Sequence, residues 1–175
     1  ALFSILGERV RDARVLDAAA GSGALGFEAL SRGAREVVFV EADRRVARVL
    51  ERNAEAVRLA GRARILVRTV AAFLLRDEPS GFDLVFFDPP WADPVAGELA
   101  GLWRAVSPGG TFVVERGGGE APWPDAPVPP DERRYGTTTL FLYRKPASPA
   151  GEGESSGTGS AMAPPGVVDR GRGGP

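Results

Sequence analysis

The chain has no cysteine and no histidine, a single methionine, two tyrosines, and no apolar run near the roughly 20 residues of a membrane span. These absences exclude disulfides, thiol nucleophiles, Ser-His-Asp triads and the common zinc sites. Catalysis, if there is any, must rest on carboxylates, backbone groups or a bound organic cofactor, and we expect no metal. No signal-peptide pattern opens the chain, so it reads as a soluble, cytoplasmic protein. Glycine and proline, by contrast, are abundant at 23 and 15 residues, and many of them fall in the last stretch.

A length of 175 residues suits one domain with a tail rather than two domains. Residues 1–145 read as the domain. Residues 146–175, built of Pro, Gly, Ser and Ala with little that is bulky and apolar, read as a disordered tail. The opening stretch from Ala1 to Leu6 resembles the middle of an amphipathic helix, so we expect the natural start to lie upstream. The net charge of −1 hides an asymmetry: residues 1–76 carry 14 Arg against 9 acids, and the remainder carries 8 Lys and Arg against 14. Such a split permits a nucleic-acid-facing side without requiring one.

Strand and helix patterns alternate along the chain. Strands are expected at 14–18, 36–41, 63–68, 82–87 and 111–115, and helices at 25–32, 43–59, 71–75 and 95–106. Asp43 is positioned to cap the long helix, and Gly33 and Gly61 to stop helices. Ser107-Pro108-Gly109-Gly110 reads as a turn. A hairpin of 132–135 and 138–144 around Gly136-Thr137 closes the pattern. Alternating strands and helices predict an α/β fold with a mostly parallel sheet and helices on both faces.

The stretch most suggestive of chemistry is Phe86-Phe87-Asp88-Pro89-Pro90-Trp91. A buried strand must stop at Pro89, and the two prolines keep the exit stiff and extended. The Asp88 carboxylate, the Pro89 carbonyl and the Trp91 ring then face one pocket. Two acceptors beside an aromatic plate suit a planar ring with an exocyclic NH2: the acceptors take its protons, and stacking adds roughly 1–3 kcal/mol. A strand ending in a proline turn under an aromatic lid is the plainer alternative.

A second cluster surrounds the end of the first strand. Asp17 precedes Gly21-Ser22-Gly23-Ala24-Leu25-Gly26, and Glu41 closes the second strand 20 residues after Gly21. This is also the dinucleotide fingerprint, in which the loop admits a ligand to the backbone and the acid accepts ribose hydroxyls. A pyrophosphate at the helix N-terminus would be repelled by Asp17. The carboxylate better suits the amino group or sulfonium of S-adenosylmethionine. An NAD-dependent oxidoreductase is the rival from another class, and a proton donor such as His is missing where hydride transfer would need one.

These residues together resemble a known family. Asp17 to Ala34 (DAAAGSGALGFEALSRGA), VVFVEAD at 37–43 and FDLVFFDPPW at 82–91 are similar to the RsmD-type ribosomal RNA guanine-N2 methyltransferases of bacteria, with Tyr135-Gly136 also matching. The D-P-P-aromatic element alone is shared by many amino methyltransferases of DNA and RNA. The resemblance implies a Rossmann-like class I methyltransferase fold: a mostly parallel seven-stranded sheet with an antiparallel edge hairpin. It implies S-adenosylmethionine as donor and, as substrate and partner, a guanine of 16S rRNA in the small ribosomal subunit or its assembly intermediate.

On this reading Asp17, Gly21, Ser22, Gly23, Glu41, Ala42, Thr69 and Val70 hold the cofactor. Asp88, Pro89, Pro90 and Trp91 form the catalytic element. The chain departs from the family pattern at Ala19, where a bulky aromatic is usual, and at Thr69-Val70, where Asp or Asn followed by Ala meets the adenine. The family also carries an Arg- and Thr-containing segment just upstream of the position of Ala1. Alternatives are an amino methyltransferase of DNA or another RNA, or a catalytically impaired RNA-binding relative.

Overall fold

A computed structural model describes residues 2–56, 60–89 and 96–148. Helix α1 (Leu2–Leu6) leads through a short 3-10 turn into β1 (Arg14–Ala18), and α2 (Ala24–Ser31), β2 (Glu36–Glu41), α3 (Arg44–Ala56) and β3 (Ala63–Val67) follow. Next come α4 (Val70–Asp77), β4 (Phe82–Phe87), α5 (Ala96–Ala105), β5 (Val106–Gly117), β6 (Asp131–Tyr135) and β7 (Thr138–Arg144). The strands form one sheet in the order β3-β2-β1-β4-β5-β7-β6. The first five are parallel, and β7 pairs antiparallel to both β5 and β6. This is the seven-stranded arrangement with an antiparallel edge that the sequence predicts.

The central strands are apolar along their whole length because both faces are covered. Leu16, Val38, Val40, Val85, Phe112 and Tyr143 point to the side of α4 and α5. Val15, Val37, Phe39, Leu84, Phe86 and Val113 point to the side of α1 and α2. Strand β6, by contrast, is an exposed edge whose Arg133 and Arg134 pair with Asp131 and Glu132. Charges on an edge strand discourage pairing with another chain.

Local chemistry sets the helix ends. Asp43 Oδ1 accepts the backbone N–H of Arg45 at 2.6 Å and of Val46 at 3.3 Å, capping α3 as expected. Thr69 caps α4 by accepting from Ala72 N at 3.1 Å, so that helix begins at Val70 and is longer than the expected 71–75. Gly61 lies within a short 3-10 turn, Ala60–Arg62. The largest correction concerns the fifth strand, expected to begin at Thr111 but found to begin at Val106. Phe82 pairs with Val106 and Leu84 with Thr111, so the intervening residues bulge from the ladder. Backbone bonds from Gly109 N to the Lys145 and Pro146 carbonyls hold the bulge, replacing the free turn.

The strand order reverses between β1 and β4, whose ends lie side by side with Ala18 opposite Phe87. In an open parallel sheet this reversal leaves a crevice beyond the carboxyl ends of the strands. Asp17, the glycine loop, Glu41 and Asp88 all fall at that edge. Pro90 and Trp91 lie outside the described residues, as do residues 149–175 of the expected tail.

Candidate active site

The loop after β1 is a tight turn. Ala20 N–H donates to the Val40 carbonyl at 3.0 Å, and Gly23 N–H donates to the Ala20 carbonyl at 2.8 Å. Ala19 leads into it with φ of +62°, a conformation that costs a side-chain-bearing residue energy and that clusters at functional sites. Asn53 of α3 ties the far side down, its Nδ2 donating to the Ser22 carbonyl at 3.1 Å. The loop is thus held between β2 and α3.

The glycines of the loop do different jobs. At Gly21, φ is +55° and an added Cβ would find nothing within 4 Å, so its Cα borders open space. At Gly23 a Cβ would come to 2.3 Å from Leu50 Cδ1, and at Gly26 to 2.2 Å from Phe39 Cε1. Those two residues let α2 approach its neighbours closely, which is a packing role.

Three carboxylates meet at the crevice. Asp17 is 4% exposed, and its Oδ2 accepts the Gly26 N–H at 2.9 Å in the first turn of α2. Burial pushes its pKa up to about 7, with the Gly26 bond opposing and the charges of Asp88 and Glu41 adding to the rise. Asp88 stands at the mouth, partly solvated, while the protein around its carboxyl raises it above the usual range. Glu41 is a clip: Oε2 accepts Gly21 N–H and Oε1 accepts Asp43 N–H, both at 2.8 Å. On the next strand Glu115, half-buried, is raised first by burial and then by Asp88.

Asp17, Glu41 and Asp88 border a cavity of 550 Å3, within the range of small-molecule sites. Of the residues expected to bind or act, Asp17, Gly21, Ser22, Glu41, Ala42, Val70, Asp88 and Pro89 line it. Gly23 and Thr69 do not: the first faces Leu50 and Phe27, and the second spends its hydroxyl on the α4 cap. The sequence reading missed Leu25, Val40, Val46 and Arg68 in the wall. Their apolar periodicity and strand-end position looked like ordinary core and surface, and no local signal set them apart.

The donor set answers what the cavity can hold. Its polar wall is rich in carboxylates and offers a positive-φ glycine peptide beside an acid at a strand tip. A cation flanked by a ribose suits it. The first turn of α2, where a dinucleotide's pyrophosphate would sit, is already occupied by Asp17.

Comparison with known proteins agrees with this geometry. Residues 1–144 match the model of the family described as Conserved hypothetical protein 95. The chain is 39% identical over 92 residues to Ribosomal RNA small subunit methyltransferase D of Haemophilus influenzae, covering 51% of this chain and 48% of that protein. To the Escherichia coli protein of the same name it is 41% identical over 90 residues, covering 51% and 44%. The chain therefore spans about half the length of these curated relatives in alignment. The solved structure named "Putative methyltransferase yhhF from Escherichia coli" superposes with a TM-score of 0.74 at 31% identity, covering 84% of this chain and 85% of that one. The sheet is therefore that of the Rossmann-like class I methyltransferases, and the chain belongs to the Conserved hypothetical protein 95 family, the family of the RsmD-type proteins.

Proposed function

We propose that this chain transfers a methyl group from S-adenosylmethionine to the exocyclic N2 amine of a guanine in 16S rRNA, within the small ribosomal subunit or its assembly intermediate in the cytoplasm. The observation that carries the reading is one cavity at the strand-order reversal bringing together Asp17, Glu41 and the Asp88-Pro89 end of β4. The names of the relatives support the RNA substrate class.

When bound, S-adenosylmethionine supplies a methyl already activated on a sulfonium, so neither a metal nor a strong base is needed. Asp17 would neutralise its ammonium, the Gly21 and Ser22 backbone would lie along its methionine part, and Glu41 would accept its ribose hydroxyls. Ala42 and Val70 would border the base. Asp17 is poised for this, since a buried carboxyl held near neutrality ionises readily once a cation arrives.

The target guanine must leave its stack to reach the cavity. Asp88 and the Pro89 carbonyl would then accept hydrogen bonds from the two amino N–H groups. The amine lone pair is delocalised into the ring and is a poor nucleophile, and hydrogen bonds to both protons favour a pyramidal nitrogen with the lone pair directed outward. Trp91, following Pro90, would stack on the ring. Alignment of this kind is worth about 7–11 kcal/mol of barrier. The elevated carboxyl of Asp88 is suited to take the proton that the product amine must lose.

The experiment is transfer of a labelled methyl group to small subunits lacking the modification, with naked 16S RNA and DNA alongside. Label in a guanine of the particle is the expected result. Label in adenine or in DNA alone would overturn the substrate assignment, and label nowhere would overturn the activity of this chain.

A further inference from the structure

We infer that the solvent face of α3 is a docking ridge for the phosphate backbone of the RNA, formed by Arg44, Arg45, Arg48 and Arg52; the partner rests on the reading just proposed. All four are exposed, and among the described residues none makes an ion pair or hydrogen bond through its side chain. Arg11, Arg14, Arg32, Arg68, Arg133 and Arg134 each meet a carboxylate, whereas Arg9, Arg35, Arg64 and Arg76, also exposed and without a side-chain partner among the described residues, are scattered over other elements. The ridge is where four unpaired arginines stand together on one helix.

Position adds to the argument. Arg44, Arg48 and Arg52 follow an i, i+4, i+8 pattern, so they share one face over about 12 Å, with Arg45 flanking it. Arg44 and Arg45 are the first two residues of α3, at the positive end of the helix dipole, and the first turn contains no acid. Cations are disfavoured there. The Asp43 cap offsets part of that cost. Four acids share this stretch with the four arginines, but none of them forms an ion pair with the ridge among the described residues. Glu41 and Asp43 turn their carboxylates to backbone N–H groups, and Glu51 and Glu55, three residues beyond Arg48 and Arg52, form no ion pair with them.

The ridge also adjoins the cavity. Ala42 and Val46, on either side of Arg44 and Arg45, line it, and Asn53 holds the glycine loop. RNA phosphates near a nucleotide everted toward the β4 side would therefore meet α3 across the crevice, on its β2 side. Contacts of this kind fix position without reading sequence, which suits a domain whose base recognition is confined to the pocket.

The test uses the full chain and a 16S rRNA transcript, with affinity measured as salt is varied. The ridge variant R44Q/R45Q/R48Q/R52Q should bind about tenfold or more weakly near 0.1 M salt, and its log-log salt slope should be shallower by about 3. The matching Arg-to-Lys variant should restore binding, because a phosphate needs charge here rather than a fork. The scattered variant R9Q/R35Q/R64Q/R76Q removes equal charge and should stay within about threefold of the parent. Thermal melting and S-adenosylhomocysteine affinity should be unchanged in all three. Equal losses in the ridge and scattered variants would overturn the ridge, as would a parent chain that does not bind RNA. Ridge-dependent binding without methyl transfer would instead overturn the reading of the pocket and leave the ridge standing.

Discussion

The two sides of the crevice are built on different plans. On the β2 side, both Glu41 oxygens are already occupied by backbone N–H groups, and the loop it clips is further held by Val40 and Asn53. On the β4 side, Asp88 has no hydrogen bond among the described residues, and burial raises its carboxyl and that of its neighbour Glu115. The first plan suits holding a ligand in a fixed pose; the second leaves lone pairs free for groups that arrive with the substrate. A site that must bind one molecule tightly and act on another needs both plans, and they share Asp17, which feels both Glu41 and Asp88.

The sharpest way to break the comparison is Asp88→Ala. If the β4 side is for chemistry alone, turnover should fall by at least about a hundredfold, the scale of a lost transition-state contact, while S-adenosylhomocysteine affinity stays within a few fold. Calorimetric titration beside a methyl-transfer assay checks both. Parallel loss of affinity and turnover would place Asp88 with the cofactor instead.

Asp17 comes next because its effects depend on pH. Its carboxyl is pushed up to about 7 in the folded chain and has an ordinary value of 3.8. Between those values the folded state keeps a proton that the unfolded state has released. Stability from Asp17 is thus full below about pH 4 and is lost as pH rises through about 7. Asp17→Asn should remove that slope and raise the melting temperature at pH 8, since its amide oxygen can still accept the Gly26 N–H. A cationic ligand reverses the sign, because it favours the ionised form. In the parent chain, S-adenosylhomocysteine should bind more tightly as pH rises from 6 to 8, with proton release. In the Asn variant that trend should vanish and affinity should drop.

Much of this was legible before the structure, and the reasons can be traced to particular residues. Strands β1, β2 and β4 end where expected because central parallel strands are apolar runs bounded by acids, glycine or proline, and their tips carry Asp17, Glu41 and Asp88. Strand β5 was misjudged at its start because Ser107-Pro108-Gly109-Gly110 has turn chemistry, whereas its pairing depends on Lys145 and Pro146, far along the chain. Arg68 and Val46 gave no sign of their place because nothing local distinguishes an arginine just past a strand or a helix-face valine that borders a cavity. The glycine fingerprint was visible as a spacing. Which glycine faces the ligand and which faces Phe39 depends on tertiary packing alone.

That division among glycines makes a matched pair of variants. Gly26→Ala forces a Cβ to within 2.2 Å of Phe39 Cε1 and 2.9 Å of Val37 Cγ1, both on fully buried side chains. Overpacking of this kind should cost about 1–3 kcal/mol in urea unfolding while leaving the affinity of the folded fraction nearly intact. Gly21→Ala meets no atom within 4 Å, but places a side chain at φ of +55° on the cavity wall. It should cost about 1–2 kcal/mol of strain and also weaken S-adenosylhomocysteine binding about tenfold. Equal affinity losses in the two variants would show that the loop acts as one packed unit and that Gly21 has no separate role.

The smallest effect, and the finest test of the β2 side, is Glu41→Gln. A glutamine presents one carbonyl oxygen where the carboxylate presents two, so either Gly21 or Asp43 loses its acceptor and meets an NH2 group. On a half-exposed site this should cost about 1 kcal/mol of stability. The ribose supplies the decisive readout. In the parent chain a cofactor analogue lacking the 2′-hydroxyl should bind several-fold more weakly than the ribose form, since Glu41 would lose a donor to accept from. In the Gln variant that preference should shrink, because the remaining oxygen is needed by the backbone. An undiminished preference would mean that Glu41 only shapes the loop, and the hydroxyls would then have to be read by another group in the wall.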